Sequence, residues 1–290
     1  MKTLSIIIPH YNTKSLLFRL LDSIKWNNDT EVIVIDDNSS ESEFDINELK
    51  LKYPSGKFLT NYRNKGAGGA RNCGIEKSTG NYLMFADSDD FMKKNYFELF
   101  NANKSKDVDI YYFYPTSHNE ETGQLGTRHI TYLNRLKEFE VKKRKEILFR
   151  FFVPWSKVFK KDFIIRNNIL FDEVPASNDV MFSLKTSFYS KKVLVIPKEI
   201  YVVTESNNSL TNTPTLKNLN SRYNVAIRFN EFLLSKGLSN HLTPMAPHIH
   251  SFFKHIGIMQ GIKVFFKSLQ KKQPIFLGLK HFFRTFRHFS

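Results

Sequence analysis

Three carboxylates crowd into four positions, Asp87, Asp89 and Asp90, directly after the apolar run Tyr82-Leu83-Met84-Phe85-Ala86. Like charges this close raise one another's pKa until a metal ion or a basic group neutralises them. Hard oxygen ligands at the end of a strand suit Mg²⁺ or Mn²⁺ carried by a phosphate. The same residues also suit a solvated turn in which Asp89 or Asp90 caps a helix over 91–100. What stands upstream bears on the choice.

Three earlier stretches share the pattern of an apolar run ending in residues that can do chemistry. Leu4-Ser5-Ile6-Ile7-Ile8 stops at Pro9 and is followed by Tyr11, then by an amphipathic stretch with Leu16, Leu17, Leu20, Leu21 and Ile24. Glu31-Val32-Ile33-Val34-Ile35 ends at once in Asp36-Asp37-Asn38. Lys57-Phe58-Leu59-Thr60 precedes Gly66-Ala67-Gly68-Gly69-Ala70-Arg71. Continuous apolar strands imply burial on both faces, hence a parallel sheet covered by helices. In such sheets ligands sit beyond the carboxyl ends of the strands. Pro9, Tyr11, Asp37, Arg71, Asp87 and Asp89 all fall there. The glycines do not spell a dinucleotide fingerprint, because Arg71 stands where the third glycine belongs. They fit a loop entering a helix over 70–77, whose free amides and Arg71 approach a diphosphate, or a helix that merely packs closely.

The strings Ile6-Ile7-Ile8-Pro9-His10-Tyr11-Asn12, Val32 to Ser40, Gly68-Gly69-Ala70-Arg71-Asn72-Cys73-Gly74-Ile75 and Phe85-Ala86-Asp87-Ser88-Asp89-Asp90 resemble those of family 2 glycosyltransferases of the GT-A fold, in the same order and at similar spacing. The resemblance implies an α/β fold with a mostly parallel central sheet flanked by helices. It also implies roles. Pro9 and Tyr11 would line the base and ribose pocket, and Asp37 would accept a hydrogen bond from N3 of a uracil or thymine. Asp87, Ser88 and Asp89 match the Asp-X-Asp motif, whose second carboxylate binds Mn²⁺ or Mg²⁺ bridging the donor diphosphate while the first lies nearer the ribose. Arg71 would sit close to that diphosphate. A leaving nucleoside diphosphate develops negative charge, which a divalent cation stabilises by several kcal/mol.

Further along, Ile110 to Tyr114 reads as a strand, and 115–140 as a polar hairpin or loop. Val153-Pro154-Trp155-Ser156-Lys157 resembles the Trp-X-Lys segment of the family members that build bacterial surface polysaccharides. In those relatives an Asn-X-X-Phe and a Glu-Asp pair follow. Here Asn168-Ile169-Leu170-Phe171 leads to Ser177-Asn178-Asp179, so Asp179 occupies the aspartate of the pair and Asn178 replaces the glutamate. An inverting transfer needs an ionised carboxylate to take the proton of the acceptor hydroxyl, and Asp179 is the candidate base. It equally suits an N-cap for a helix over 180–190, and the two roles are compatible. Val193 to Ile196 and Ile200 to Val203 read as a strand pair, and 204–211 as a loop able to close over the donor.

Composition bounds the partners. With 290 residues, 41% apolar and 14% aromatic, the chain can bury a sizeable core. Its net charge of +15 points to a polyanionic partner. The excess lies late in the chain, since no acidic residue follows Glu231. On a helical wheel Ile275, Phe276, Leu279, Phe282, Phe283, Phe286 and Phe289 share one arc opposite Lys280, Arg284 and Arg287. That segregation fits a helix lying in an anionic membrane interface, or one docked on protein. It does not fit a nucleic-acid reader, which interleaves aromatics and cations. The single cysteine, the lack of a leader and the lack of an apolar run of about 18 residues lead to a cytoplasmic expectation.

The expectation is therefore a GT-A catalytic domain over 1–205, with a nucleotide-binding half at 1–100 and an acceptor half at 101–205, and a helical, basic region over 206–290. Its reaction would be inverting, metal-dependent transfer of a sugar from a nucleoside diphosphate donor, UDP-linked on this reading, to a glycan or lipid-linked hydroxyl in capsule or lipopolysaccharide synthesis. A nucleotidyltransferase is the alternative, but it wants a glycine-rich basic loop after its first strand, and 8–12 has none.

Overall fold

The architecture grows from two strands with no solvent face. β1 (Leu4–His10) and β2 (Thr30–Asp36) are buried at all seven positions each, as continuous β-branched runs require of a sheet covered on both sides. The computed structural model describes residues 2–205 and 214–277. It divides into two compact units, one formed by residues up to Glu173 with Phe182 to Glu205, the other by Val174–Met181 with residues 214–277.

In the first unit α1 (Lys14–Ser23), α2 (Ile46–Lys52) and α3 (Ala67–Lys77) connect β1, β2, β3 (Lys57–Thr60) and β4 (Tyr82–Phe85). These four strands are mutually parallel in the order β3-β2-β1-β4, with Ile6 opposite Val32 on one side and Met84 on the other. Their carboxyl ends consequently share one edge. α3 begins at Ala67, earlier than its sequence suggests, behind Gly66 at φ 123°. Only glycine adopts that conformation without strain. Close packing sets Gly74 as well, because an added Cβ would lie 2.3 Å from Ile7 Cγ2.

Beyond the acidic cluster the chain departs from expectation. β5 (Phe91–Met92) is a short strand, and α4 (Tyr96–Asn103) starts only after Asn95, so neither Asp89 nor Asp90 caps a helix over 91–100. β6 (Ile110–Phe113) is followed by β7 (Thr116–Asn119), a turn closed by a bridge between His118 and Leu125, and α5 (Ile130–Lys142). The expected loop over 115–140 is thus strand and helix, its helical period diluted by charge. β8 (Lys157–Lys160) inserts antiparallel between β4 and β6, and α6 (Lys161–Arg166) and α7 (Val180–Tyr189) follow. β9 (Val193–Ile196) and β10 (Tyr201–Glu205) do not pair with each other. β9 closes the seven-stranded sheet β3-β2-β1-β4-β8-β6-β9, whereas β10 lies between β5 and β7 in a second sheet. Of the expected loop over 204–211, Thr204 and Glu205 end β10 and the rest falls outside the described residues.

The second unit contains α8 (Leu216–Ser235), α9 (Ala246–His255) and α10 (Ile258–Gln270) around Leu219, Tyr223, Ile227, Met245, Ile249, Phe252 and Val264. Leu219, Tyr223, Ile227 and Leu233 lie on the buried face of α8, with Phe232 half-buried beside it. Most of the amphipathic wheel drawn over 275–289 lies outside the described residues.

One buried charge at the amino end of the sheet tests this arrangement. Glu31 accepts from Ser5 Oγ at 2.5 Å, Thr79 N at 2.8 Å, Thr79 Oγ1 at 2.9 Å and Lys57 Nζ at 2.5 Å. Burial pushes its carboxyl up, but Lys57, Ser5 and Thr79 outweigh that and hold it at about 2. Since protonation then favours the unfolded chain, the contribution is complete above about 4.5 and disappears as the pH falls toward 2. Glu31→Gln is expected to lower stability by about 1–3 kcal/mol at neutral pH. In thermal melts the gap to the parent protein should narrow steadily on acidification below 4.5; a gap independent of pH would assign the loss to packing.

Candidate active site

The carboxyl edge of β3-β2-β1-β4 carries loops whose polar groups are tied to one another across the strands. At the end of β1, His10 Nδ1 lies 3.0 Å from Asp36 Oδ1, and His10 Nε2 accepts from Thr13 N at 3.2 Å. The accepting Nε2 leaves the ring proton on Nδ1, which donates to Asp36. Burial pushes the Asp36 carboxyl up, yet His10 and the amide and hydroxyl of Ser39 hold it below the ordinary carboxylate range. Asn12, in the left-handed region at φ 49°, donates its amide to Ser39 Oγ and accepts from Ser40 N. The β1 and β2 loops are thereby fixed as one surface.

Asp37 is buried and turned toward the glycine loop. Its Oδ1 accepts from Asn61 Nδ2 at 2.7 Å, and its Oδ2 accepts from Gly66 N at 2.8 Å. Gly69 lies so close to the loop that an added Cβ would stand 2.1 Å from the Asn64 carbonyl oxygen. Pro9 is buried opposite Ile35, while Tyr11 is 40% exposed with Lys65 Nζ 4.6 Å above its ring centre. An exposed aromatic ring at a strand end offers a stacking face to a flat heterocycle.

The acidic turn after β4 is the electrostatic centre. One carboxylate oxygen from each of Asp87, Asp89 and Asp90 lies within 4.8 Å of the others. Among the described residues no other group of three His, Cys, Asp or Glu is placed to share a cation. Arg71, buried in α3, donates to Asp87 Oδ1 at 2.5 Å and stands 5.3 Å from the centre of the Phe171 ring. Ser88 Oγ meets Thr13 Oγ1 at 2.9 Å, joining this turn to the β1 loop. Burial, followed by the charge of Asp87, pushes the Asp89 carboxyl up. Burial, followed by Asp89 and Asp87, pushes Asp90 well up. A cluster so strained toward protonation is short of positive charge, and its donors are the hard oxygens that a divalent cation prefers.

Asp90 plays a different part from its neighbours. Its Oδ2 accepts from Tyr201 OH at 2.6 Å and its Oδ1 from Thr204 N at 2.7 Å, while the Tyr201 oxygen accepts from Asp87 N at 2.8 Å. The turn is thus bolted to β10. Arg19 of α1 adds a second tie, donating to the Asp89 carbonyl, to Thr204 Oγ1 at 3.1 Å and to Glu120. Asp90 is the most buried and the most heavily hydrogen-bonded of the three, and Asp87 and Asp89 are the more accessible carboxylates.

The site therefore brings together Pro9, Tyr11, Asp37, Arg71, Asp87, Ser88 and Asp89. Asp179 belongs to the other unit, half-buried in the turn Ser177–Val180 directly ahead of α7, where Val180 N bonds Ser177 O and Ser177 has φ 60°. Sequence reasoning missed Arg19, Asn61, Tyr201 and Thr204. Tyr201 and Thr204 look like strand filler and Arg19 like a surface helix residue, and only the pairing of β10 with β5 reveals them.

Comparison with known proteins accords with this geometry. The sequence profile described as "Glycosyl transferase family 2" matches residues 5–166. The Bacillus subtilis glycosyltransferase EpsH is 26% identical over 204 residues, which are 68% of this chain and 59% of EpsH, so the chain spans less than two thirds of that relative. Residues 1–349 of TarS from S. aureus, crystallised with UDP-GlcNAc, superpose with a TM-score of 0.66 at 19% identity, covering 93% of this chain and 78% of TarS. The mannosyltransferase PcManGT from Pyrobaculum calidifontis, solved with GDP-Man and Mn²⁺, gives 0.55 at 13% identity over 92% and 79% of the two chains. At these identities the structures speak for the GT-A fold alone. The profile match reaches from β1 through the acidic turn to α6 and takes in every element that builds the site's edge, so the chain belongs to glycosyl transferase family 2.

Proposed function

We propose that this protein transfers a sugar from a nucleoside diphosphate sugar, with a UDP-sugar as the first candidate, to a hydroxyl of a glycan or lipid-linked acceptor in bacterial surface polysaccharide synthesis. The observation that carries the reading is the pairing of Arg71 with Asp87 at the mouth of a carboxylate cluster, on the shared carboxyl edge of four parallel strands. The UDP-GlcNAc complex of TarS and the Mn²⁺ complex of PcManGT support donor class and metal use by likeness of fold.

Tyr11 offers its exposed ring to the base. The Asp37 carboxylate holds the glycine loop through Gly66 N, and its remaining lone pairs serve the N3–H of a uracil. Arg71 supplies a guanidinium fork for the diphosphate, which would compete with Asp87 for it. Asp87 and Asp89 would hold Mn²⁺ or Mg²⁺, which supplies stabilisation for the charge of the departing diphosphate. Asp90, Tyr201 and Arg19 keep the turn rigid, so that little reorganisation accompanies the reaction. Asp179 takes the acceptor proton, and attack on the face opposite the leaving group inverts the sugar carbon. The helical region after Glu205 associates with an anionic membrane at the cytoplasmic face, where lipid-linked acceptors would be met. No described helix is long and apolar enough to cross a bilayer.

Two substitutions separate donor from acceptor. Asp89→Asn keeps the size of the side chain and removes one oxygen anion. Release of nucleoside diphosphate from a panel of nucleotide sugars should lose its Mn²⁺ stimulation, with turnover down about 100-fold or more. Undiminished turnover at saturating metal would remove Asp89 from the site. Asp179→Asn should abolish transfer while calorimetric binding of UDP with Mn²⁺ persists. Loss of both would assign Asp179 to the fold alone.

A further inference from the structure

α10 is turned inside out relative to an ordinary surface helix. Its buried residues are the small Gly261, Val264 and Ser268, and of its large apolar side chains Phe265 packs partly against the core whereas Ile258, Met259, Ile262, Phe266 and Leu269 face outward. At 100° per residue Ile258, Leu269, Ile262, Phe266 and Met259 fill one continuous arc of about 100°. Met259 is 86% exposed, Ile258 71% and Phe266 56%. The opposite, small-residue face is the one that packs, Gly261 lying so close to Phe253 of α9 that an added Cβ would stand 2.4 Å from its ring. A patch of this kind on the outside of a folded unit marks an interaction surface.

Charge decides what covers it. Lys263 borders the arc, Lys267 lies further round with its Nζ 5.4 Å from the centre of the Tyr223 ring, Lys254, Lys271 and Lys272 stand exposed at the helix ends, and no Asp or Glu occurs after Glu231. A symmetric contact between two copies would set lysine against lysine, with Glu231 of α8 already paired with Lys271 at 3.9 Å. A single-stranded nucleic acid wants stacking rings, whereas this arc is mostly Ile, Met and Leu. An anionic bilayer satisfies both parts, taking the apolar arc into its interface and the lysines among its headgroups.

We propose that the outward face of α10 is the surface by which this protein inserts into an anionic lipid leaflet. The inference rests on the membrane association proposed above and places it on Ile258, Met259, Ile262, Phe266 and Leu269 rather than on the aromatic wheel of 275–289. α10 lies along the interface, its axis parallel to the membrane.

Flotation of the full chain with vesicles of equal phosphatidylglycerol and phosphatidylcholine tests it. Ile262→Asp combined with Phe266→Asp, both at exposed positions, should weaken binding at least about 30-fold. Lys263→Ala with Lys267→Ala should weaken it about tenfold on the anionic vesicles and leave weak binding to pure phosphatidylcholine unchanged. Phe283→Ser with Phe286→Ser, which removes the rings without adding negative charge, should stay within about threefold of the parent. Circular dichroism checks folding, and should the acidic pair fail to fold, the lysine pair decides. The proposal is overturned if the α10 variants float like the parent, or if the 283/286 variant alone detaches. It is overturned equally if the parent forms a concentration-dependent dimer that Ile262→Asp with Phe266→Asp dissolves. A parent chain that binds neither vesicle removes membrane association altogether. Transfer to a water-soluble acceptor should survive the α10 changes, and its absence from every protein, parent included, would overturn the glycosyl transfer reading and leave the vesicle result standing.

Discussion

Everything at the carboxyl edge of the sheet answers to the repulsion among Asp87, Asp89 and Asp90. Two of these can face outward, but Asp90 is buried, and a buried carboxyl without partners is strongly disfavoured. It is satisfied by the Tyr201 hydroxyl and the Thr204 amide, which requires β10 to run behind the turn, and β10 can do so only by leaving the main sheet. The three-stranded sheet β5-β10-β7 thus follows from the need to house one acid. The phenol of Tyr201 carries this constraint in both directions, donating to Asp90 and accepting from the Asp87 amide. Its own proton is held firmly, burial and then the Asp90 charge pushing its pKa well up.

The remaining loops are set by the same demand that buried polar groups be paired. Four parallel strands end together, and each must turn away from the edge without leaving amides and carbonyls unsatisfied. His10 to Asp36, Asn12 to Ser39 and Ser40, Asp37 to Asn61 and Gly66, and Thr13 to Ser88 accomplish this between neighbouring loops rather than within them. The edge is consequently a preformed surface in which the exposed Tyr11 ring and the Arg71–Asp87 pair hold fixed positions. Pre-organisation of this kind is what binding a charged, multi-part ligand requires.

Much of this was legible because the chemistry sits where strand periodicity is strongest. The apolar runs at 6–8 and 32–35 announce a parallel sheet, and a parallel sheet dictates which end binds, so Tyr11, Asp37, Arg71 and Asp87 could be gathered from the sequence. What could not be read depends on pairing between distant segments. Nothing in Tyr201-Val202-Val203-Thr204 distinguishes a strand beside β9 from one beside β5, because both placements bury the same alternation. Asp90 looked equivalent to Asp89 for the same reason. The helix over 130–142 presents Tyr132, Leu136 and Phe139 to the core at helical spacing, but only Leu136 is fully buried and the charged residues between them dilute the period in the sequence.

The C-terminal unit shows a different limit of pattern reading. A wheel locates the apolar arc of a helix and presumes that this arc is the one that packs inward. α10 violates the presumption, since Gly261, Val264 and Ser268 let it approach α9 and α8 closely through small side chains, and Ser268 finds Tyr223 OH at 3.0 Å in that contact. Close approach through small residues leaves little room for bulky ones inside: Phe265 packs partly against the core, and the others project. Two faces therefore coexist in α10, a small-residue face that packs and a large-residue face, bordered by Lys263, that does not. A helix of this construction gains its folded position from tight backbone approach and keeps its hydrophobic area in reserve for something outside the chain. In the proposal made above, the large-residue face is what would meet a lipid leaflet, and the lack of acid after Glu231 sets the sign of the charge it would meet.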